Sequence, residues 1–268
     1  MLRDLLTLLP DFETWPCDEI NPIWRHGNFS HPTDEFDPDL ATPAVTTWLR
    51  RTFERQRVRT GATRMVEKTC ANSLRVGFVD RVFPGATFVM IVRDGRDAAA
   101  SALKRWRAPV EWSYTLRKAR FVPLSDLPRY AARFAANRLR GSGVADRRVA
   151  SWGPRFDGMD RLLRESTLDE VCAEQWQQCV TAAVRDLDRL PADRTLRVRY
   201  EDLVRDPSET LTDVFEFIGA PDASAQAARA AANVRSGSVG RWTTDLQADQ
   251  IARIEARIGP TLAQQGYA

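Results

Sequence analysis

Three stretches of this chain combine residue types and spacings suited to holding a phosphorylated ligand. Arg93 directly follows the apolar run Ala86–Val92 (ATFVMIV), and Ser101 lies eight residues further on. If the run is a strand and a helix follows, the guanidinium offers a charged fork. The helix start adds exposed N–H groups, so Arg93 and Ser101 can converge on one anion. The plainer reading pairs Arg93 with Asp94 or Asp97 and leaves Ser101 an ordinary helix residue. Tyr200 ends a second strand-like run, TLRVRY, where its ring can stack on a base or pack at a sheet edge. The stretch Val234–Trp242 (VRSGSVGRW) holds two glycines, two serines and two arginines, a supply of N–H groups, hydroxyls and charge for a phosphate. A solvated loop is the alternative, against which Trp242 weighs.

These residues need elements to position them. Arg64–Thr69 (RMVEKT) reads as a short strand, Asn72–Phe83 as a helix broken by Pro84-Gly85, and Ala86–Val92 as a strand covered on both faces. Asp97 is placed to cap the next helix, through Trp106. Strand, helix, strand, helix at this spacing predicts a parallel α/β sheet, which binds ligands beyond the carboxyl ends of its strands. Leu2–Leu9 suits a helix stopped by Pro10. A loop rich in Pro and aromatic residues spans Asp11–Pro43, and Pro43–Arg59 is predicted helical. Residues 107–165 are expected to form a helical and loop cover over a cleft, least regular at Gly141–Gly143 and Trp152–Gly158. A long helix, Thr167–Leu190, leads to the strand 195–200. Asp206-Pro207-Ser208-Glu209 starts another helix, closed by Gly219. A last helix is expected over Ala248–Ile258.

Composition narrows the classes. The 268 residues are 43% hydrophobic and 28% charged, ordinary for a globular chain and against wholesale disorder. Basic residues number 39 against 36 acidic, a net +3, too balanced for a nucleic-acid coat. Only Lys68, Lys104 and Lys118 are lysines, so being arginine singles out no position. Cys17, Cys70, Cys172 and Cys179 form no C-x-x-C. With His26 and His31 they complete no zinc pattern, and reduced packing thiols in a cytoplasmic protein are expected. No stretch reaches 18 apolar residues, so no membrane span is expected.

Taken in order, four blocks resemble the sulfotransferases that use 3'-phosphoadenosine 5'-phosphosulfate (PAPS). They are Glu67-Lys68-Thr69 with Asn72 and Arg75; Arg81–Phe88 running into Ile91–Asp97 and Ser101; Arg199–Val204 with Asp206-Pro207; and the Arg235–Trp242 loop. The Lys68 region and the Val-Arg-Asp-Gly-Arg run look most like the protein-tyrosine sulfotransferase branch and its bacterial relatives. The resemblance implies a P-loop NTPase-like three-layer α-β-α fold around a parallel sheet. It implies that Arg93 and Ser101 hold the 3'-phosphate of PAPS, that Tyr200 lies beside the adenine, and that Arg235, Ser236 and Gly237 wrap the same phosphate. Lys68 matches a lysine that reaches the transferring group, and Glu19 lies where the tyrosine-modifying branch carries its general base. His26 is the rival base, since histidine changes charge near neutrality. No metal is required.

One departure is large. The family opens with a strand and a phosphate-binding loop that grips the 5'-phosphosulfate, then a helix. Here Met1–Leu6 reads as that helix, and no G-x-x-x-x-G-K-[ST] loop occurs in the chain. The expectation is one sulfotransferase-like domain over residues 1–268, truncated at its N-terminus and lacking the first strand, through either a late start or an inactive chain. The activity implied is transfer of a sulfuryl group to a hydroxyl, phenol or amine of a small-molecule or peptide acceptor. The alternatives are an inactive sulfotransferase-like binding module and a P-loop kinase-like phosphotransferase.

Overall fold

The computed structural model describes residues 1–108, 123 and 152–267. Its elements run α1 (Leu2–Leu6), β1 (Phe12–Thr14), α2 (Asn21–Trp24), α3 (Pro43–Thr60), β2 (Arg64–Val66), α4 (Val76–Val82), β3 (Phe88–Val92) and α5 (Gly95–Arg107). After residue 151 come α6 (Met159–Glu165), α7 (Leu168–Leu187), β4 (Thr195–Arg199), α8 (Tyr200–Arg205), α9 (Pro207–Phe217), α10 (Ala223–Ala231), α11 (Trp242–Asp245) and α12 (Ala248–Gln264).

All strand pairing among the described residues is parallel. β1 pairs with β2 in the register Glu13 with Met65, and β3 pairs with β4 from Phe88 with Thr195 to Val92 with Arg199. Successive side chains of a strand face opposite sides, and β3 and β4 use both. Val89, Leu196 and Val198 join a cluster with Leu2, Leu5 and Leu6 of α1, Leu203 of α8, and Leu211, Val214 and Phe215 of α9. Met90 and Val92 turn to the other face, against Leu103 and Trp106 of α5, Val171 of α7, and Ile254 and Ile258 of α12. Two helical layers thus enclose the strands, giving the expected three layers. Each fully buried Leu or Phe of these clusters contributes about 1.5–3 kcal/mol by leaving water. A third cluster sets Trp15, Ile20, Ile23 and Trp24 against Leu49 of α3 and Phe78 and Val82 of α4.

The structure corrects several expectations. Residues 11–43 are not an unbroken loop: β1, α2 and a 3-10 turn at Pro38–Leu40 lie within them. β1 shows no alternating apolar pattern of its own, because three residues are too few to express one. The helix predicted over 72–83 is a 3-10 turn, Cys70–Leu74, followed by α4. Asp94, not Asp97, caps α5, its side chain accepting from the Arg96 amide at 2.8 Å. The last helix continues six residues beyond Ile258, with Pro260 inside it. Most of the 107–165 cover, including Gly141–Gly143, lies outside the described residues. Within its described part, Trp152–Gly158 is irregular and α6 follows.

Candidate functional site

The backbone where β3 turns into α5 is held from three sides. The Asp94 amide donates to Glu201 Oε1 at 3.0 Å, and Trp176 Nε1 donates to the Arg93 carbonyl at 3.1 Å. The Tyr267 hydroxyl donates to Glu201 Oε2 at 2.7 Å and lies 3.1 Å from the Val92 carbonyl. Burial pushes the Tyr267 phenol above its ordinary value, and the Glu201 carboxylate adds to the rise. Trp176 reaches this turn because residue 95 is glycine: a Cβ there would stand 2.8 Å from the indole and 2.7 Å from Ile258.

On this rigid turn the Arg93 guanidinium lies 4.9 Å from the centre of the Tyr200 ring. One terminal nitrogen is 3.3 Å from Asp97 Oδ2 and donates to the Ser238 carbonyl. The Tyr200 hydroxyl and Ser238 Oγ share a hydrogen bond. Arg93 Nε is buried and has no hydrogen-bond partner in the structure. The plainer sequence reading of Arg93, a pair with Asp97, holds in the structure, and Arg93 also faces the Gly/Ser loop. Arg235, Ser236 and Gly237 form the exposed rim of that loop, and Ser238 is its residue that meets Arg93 and Tyr200. Sequence reasoning missed Ser238; its one signal was membership of VRSGSVGRW. Ser101 is exposed, one turn beyond Asp97 on the same side of α5.

Arg96 is not the solvated residue that its place beside a helix start predicts. It pairs with Asp94 at 2.8 Å and Glu255 at 3.0 Å, and its guanidinium lies 4.3 Å from the Trp242 ring centre. Arg96 ties α5 to α12.

The second group lies after β2. Lys68 Nζ is 3.2 Å from Glu19 Oε1 and 3.9 Å from Cys70 Sγ, and the Cys70 amide donates to Glu19 Oε1 at 3.3 Å. Burial opposes the Lys68 charge, but the Glu19 carboxylate beside it outweighs that, and the ammonium titrates above its usual value. Cys70 is exposed, but crowding by neighbouring protein atoms and the Glu19 carboxylate push its thiol up, so it is a thiol and not a thiolate at neutral pH. The rival base, His26, instead stacks on Trp48 with ring centroids 3.7 Å apart.

Beneath this pair runs a buried polar chain. The Ile20 amide donates to Thr69 Oγ1 at 3.1 Å, and that hydroxyl donates to Glu67 Oε1 at 2.5 Å. Asn72 Nδ2 donates to Glu67 Oε2 at 2.7 Å and accepts through Oδ1 from Arg75 Nε at 2.9 Å. Arg75, fully buried, donates on to Asn21 Oδ1 at 2.7 Å, and Asn21 and Arg25 both donate to Asp34. Burial raises the Glu67 carboxyl and lowers Arg75 to about 10. Asp34 is held below the usual carboxylate range: burial opposes this, but Arg75, the Arg155 amide and Arg25 prevail. Glu67, Asn72 and Arg75 stood in the sequence block without a role, and Asp34 was not singled out.

Lys68 and Cys70 of the second group and Arg93 of the first line one cleft of about 1080 Å³, together with Trp152, Trp176 and Cys179. The edge of β3 away from β4, Phe88–Val92, forms its floor. Among the described residues, no three His, Cys, Asp or Glu side chains are placed to hold a metal ion, and no helix is long and apolar enough to cross a membrane.

Comparison with known proteins gives this geometry a family. The model of the Sulfotransferase family matches residues 16–151 and 144–224, a span that ends before the Ser238 loop. No curated protein matches the sequence. Among solved structures, a sulfotransferase domain from the curacin biosynthetic pathway is 13% identical over 96% of this chain and 92% of its own, with a TM-score of 0.50. The sulfotransferase STF9 from Mycobacterium avium is 14% identical over 87% of this chain and 50% of its own, with a TM-score of 0.46. The curacin-pathway domain shares the fold, and the family match extends over well more than half of the sequence: the chain belongs to the Sulfotransferase family.

Proposed function

We propose that this chain moves a sulfuryl group from PAPS to a hydroxyl, phenol or amine acceptor. The observation that carries the reading is that one cleft is lined by a cation from each of two chemically different groups: Arg93, which contacts Tyr200 and Ser238, and Lys68, which pairs with Glu19. Arg93 fits a phosphate because its buried Nε lacks an acceptor while its charge stays fixed by the braced turn. Tyr200 offers a ring face to the adenine, Ser238 and Ser101 offer hydroxyls, and Arg235–Gly237 close over the same phosphate from the rim. When bound, the nucleotide supplies the sulfuryl group and a phosphate leaving group.

This chain's residues then have two tasks, as in phosphoryl transfer: alignment and charge stabilisation. Lys68, kept cationic by its neighbours, stabilises negative charge on the transferring oxygens. Glu19 Oε1 receives the acceptor's proton as general base, exchanging its Lys68 contact for the acceptor. Among the described residues no strand pairs with the edge of β3 on the cleft floor, an edge that suits one more parallel strand and the N–H donors it would bring. No metal enters the reading.

Calorimetric titration with 3'-phosphoadenosine 5'-phosphate and with adenosine 5'-phosphate tests the nucleotide half. The 3'-phosphorylated compound should bind at least tenfold tighter, as expected for about one charged hydrogen bond; equal affinities overturn the Arg93 assignment. Transfer of labelled sulfate from PAPS to phenols, alcohols, amines and tyrosine peptides tests the chemistry. Binding without transfer to any of them would support the binding-module alternative instead.

A further inference from the structure

Asp97 sits inside α5, 2% exposed, and yet it is a carboxylate with no role in capping that helix. Its partners lie 143 and 145 residues away. Oδ2 accepts from the Gly240 amide at 2.8 Å, and Oδ1 accepts from the Trp242 amide at 2.9 Å. Oδ2 also lies 3.3 Å from the Arg93 guanidinium. Three donors thus surround one buried carboxylate, the arrangement that burial of such a charge requires. The Gly240 amide can point inward because the chain there takes a φ of +72°, a conformation open to glycine.

We propose that Asp97 is the positioning residue of the site: it latches the 235–242 loop onto the start of α5 and thereby sets Ser238 against Arg93 and Tyr200. The inference deepens the proposed nucleotide site and rests on that reading. Gly240 and Trp242 are the inner anchors of the loop, while Arg235, Ser236 and Gly237 are exposed. With both anchors held by one side chain, the rim stays over Arg93. Without the carboxylate, two inward amides lose their acceptor, Arg93 loses a counter-charge, and the loop has no fixed height above the Tyr200 ring. Asp97 does not touch the nucleotide in this account. It acts through the loop.

The test is Asp97→Asn, which preserves size and removes charge and one acceptor. The first readout is trypsin cleavage after Arg235 and Arg241, followed by mass spectrometry. Cleavage should be about tenfold faster in the variant, the effect of losing a hydrogen bond to a charged group. Wild-type cleavage rates in a folded variant overturn the latch. The second readout is binding: affinity for 3'-phosphoadenosine 5'-phosphate should fall about tenfold or more, while that for adenosine 5'-phosphate stays within about twofold. A general loss of packing would weaken both alike, and that outcome overturns the positioning role. Amide hydrogen exchange on the unmodified chain decides the matter if the variant does not fold. The Gly240 and Trp242 amides should exchange at least about a hundredfold more slowly than those of Arg235–Gly237, and equal rates overturn the proposal. Cleavage and exchange need no nucleotide, so a wrong donor assignment would leave them unchanged and would appear only in the titration.

Discussion

Glu19 Oε1 and Lys68 Nζ stand 3.2 Å apart although 49 residues separate them in sequence. The cause is the register of β1 with β2. Thr14 lies beside Val66, so the two chain segments leave the sheet side by side. The Ile20 amide on Thr69 Oγ1 then fastens one tail to the other.

The pair is partly open to solvent, so its own contribution to stability is at most about 1 kcal/mol. Glu19→Gln should therefore leave the melting temperature nearly unchanged while lowering sulfate-transfer turnover by about 10²–10⁴, as loss of a general base does. Lys68→Met should lower turnover by about 10²–10³ with nucleotide affinity nearly intact. Steady-state kinetics with titration calorimetry checks both. Turnover within threefold of the parent for Glu19→Gln, a margin of about 0.7 kcal/mol, removes Glu19 as base.

Arg93→Ala and Arg96→Ala should fail in different ways. Loss of Arg93 should weaken 3'-phosphoadenosine 5'-phosphate binding by about ten- to a hundredfold. Loss of Arg96 breaks its contacts to Asp94, Glu255 and Trp242 and should instead cost about 1–3 kcal/mol of stability. Urea unfolding and calorimetry on both variants separate the two effects; equal loss of nucleotide affinity would refute the assignment.

Within the Gly/Ser loop, the two serines should differ. Ser238 shares a hydrogen bond with Tyr200, and Ser236 is exposed. Ser238→Ala should weaken nucleotide binding by about three- to tenfold, the worth of one neutral hydrogen bond, with Ser236→Ala smaller. The reverse order would move the phosphate to the outer rim. Tyr200→Phe should match Ser238→Ala, since each removes the same contact.

The Asp34 carboxyl is depressed in the folded chain. Its contribution is fully present above the unfolded carboxyl value of about 3.9 and is lost as pH falls through the lower folded value. Glu67 acts in the opposite sense. Between its unfolded value, about 4.3, and its raised folded one, the native state binds more protons, and stability declines as pH rises. Asp34→Asn, which strips a buried pair of its anion, should cost about 3–5 kcal/mol at neutral pH and flatten the acid limb. Glu67→Gln should remove the decline at higher pH. Urea midpoints from pH 3 to 8 check the signs.

Much of this protein was readable in one dimension. The apolar run ending at Val92 specified a strand, although not the fully covered one expected, since Val92 is its one buried residue and Ile91 is exposed; Pro207 and Gly219 bracketed a helix, and Arg93 was placed at a strand end because a strand and a helix abut there. Those signals are local: period, propensity and punctuation act over a few residues. Glu19 and Lys68 were drawn together only through family resemblance, and the β1–β2 register supplies the physical reason. Other features had no local signal at all. Asp97 looked like a cap because Asp near a helix start usually is one, whereas its partners come from residues 240 and 242. Arg96 looked solvated because nothing nearby in sequence announces Glu255 or Trp242. Ser238 was indistinguishable from Ser236 until the loop was laid on Arg93. Which donor meets which acceptor across more than 100 residues depends on how two helical layers close on the strands, and only the tertiary structure decides that.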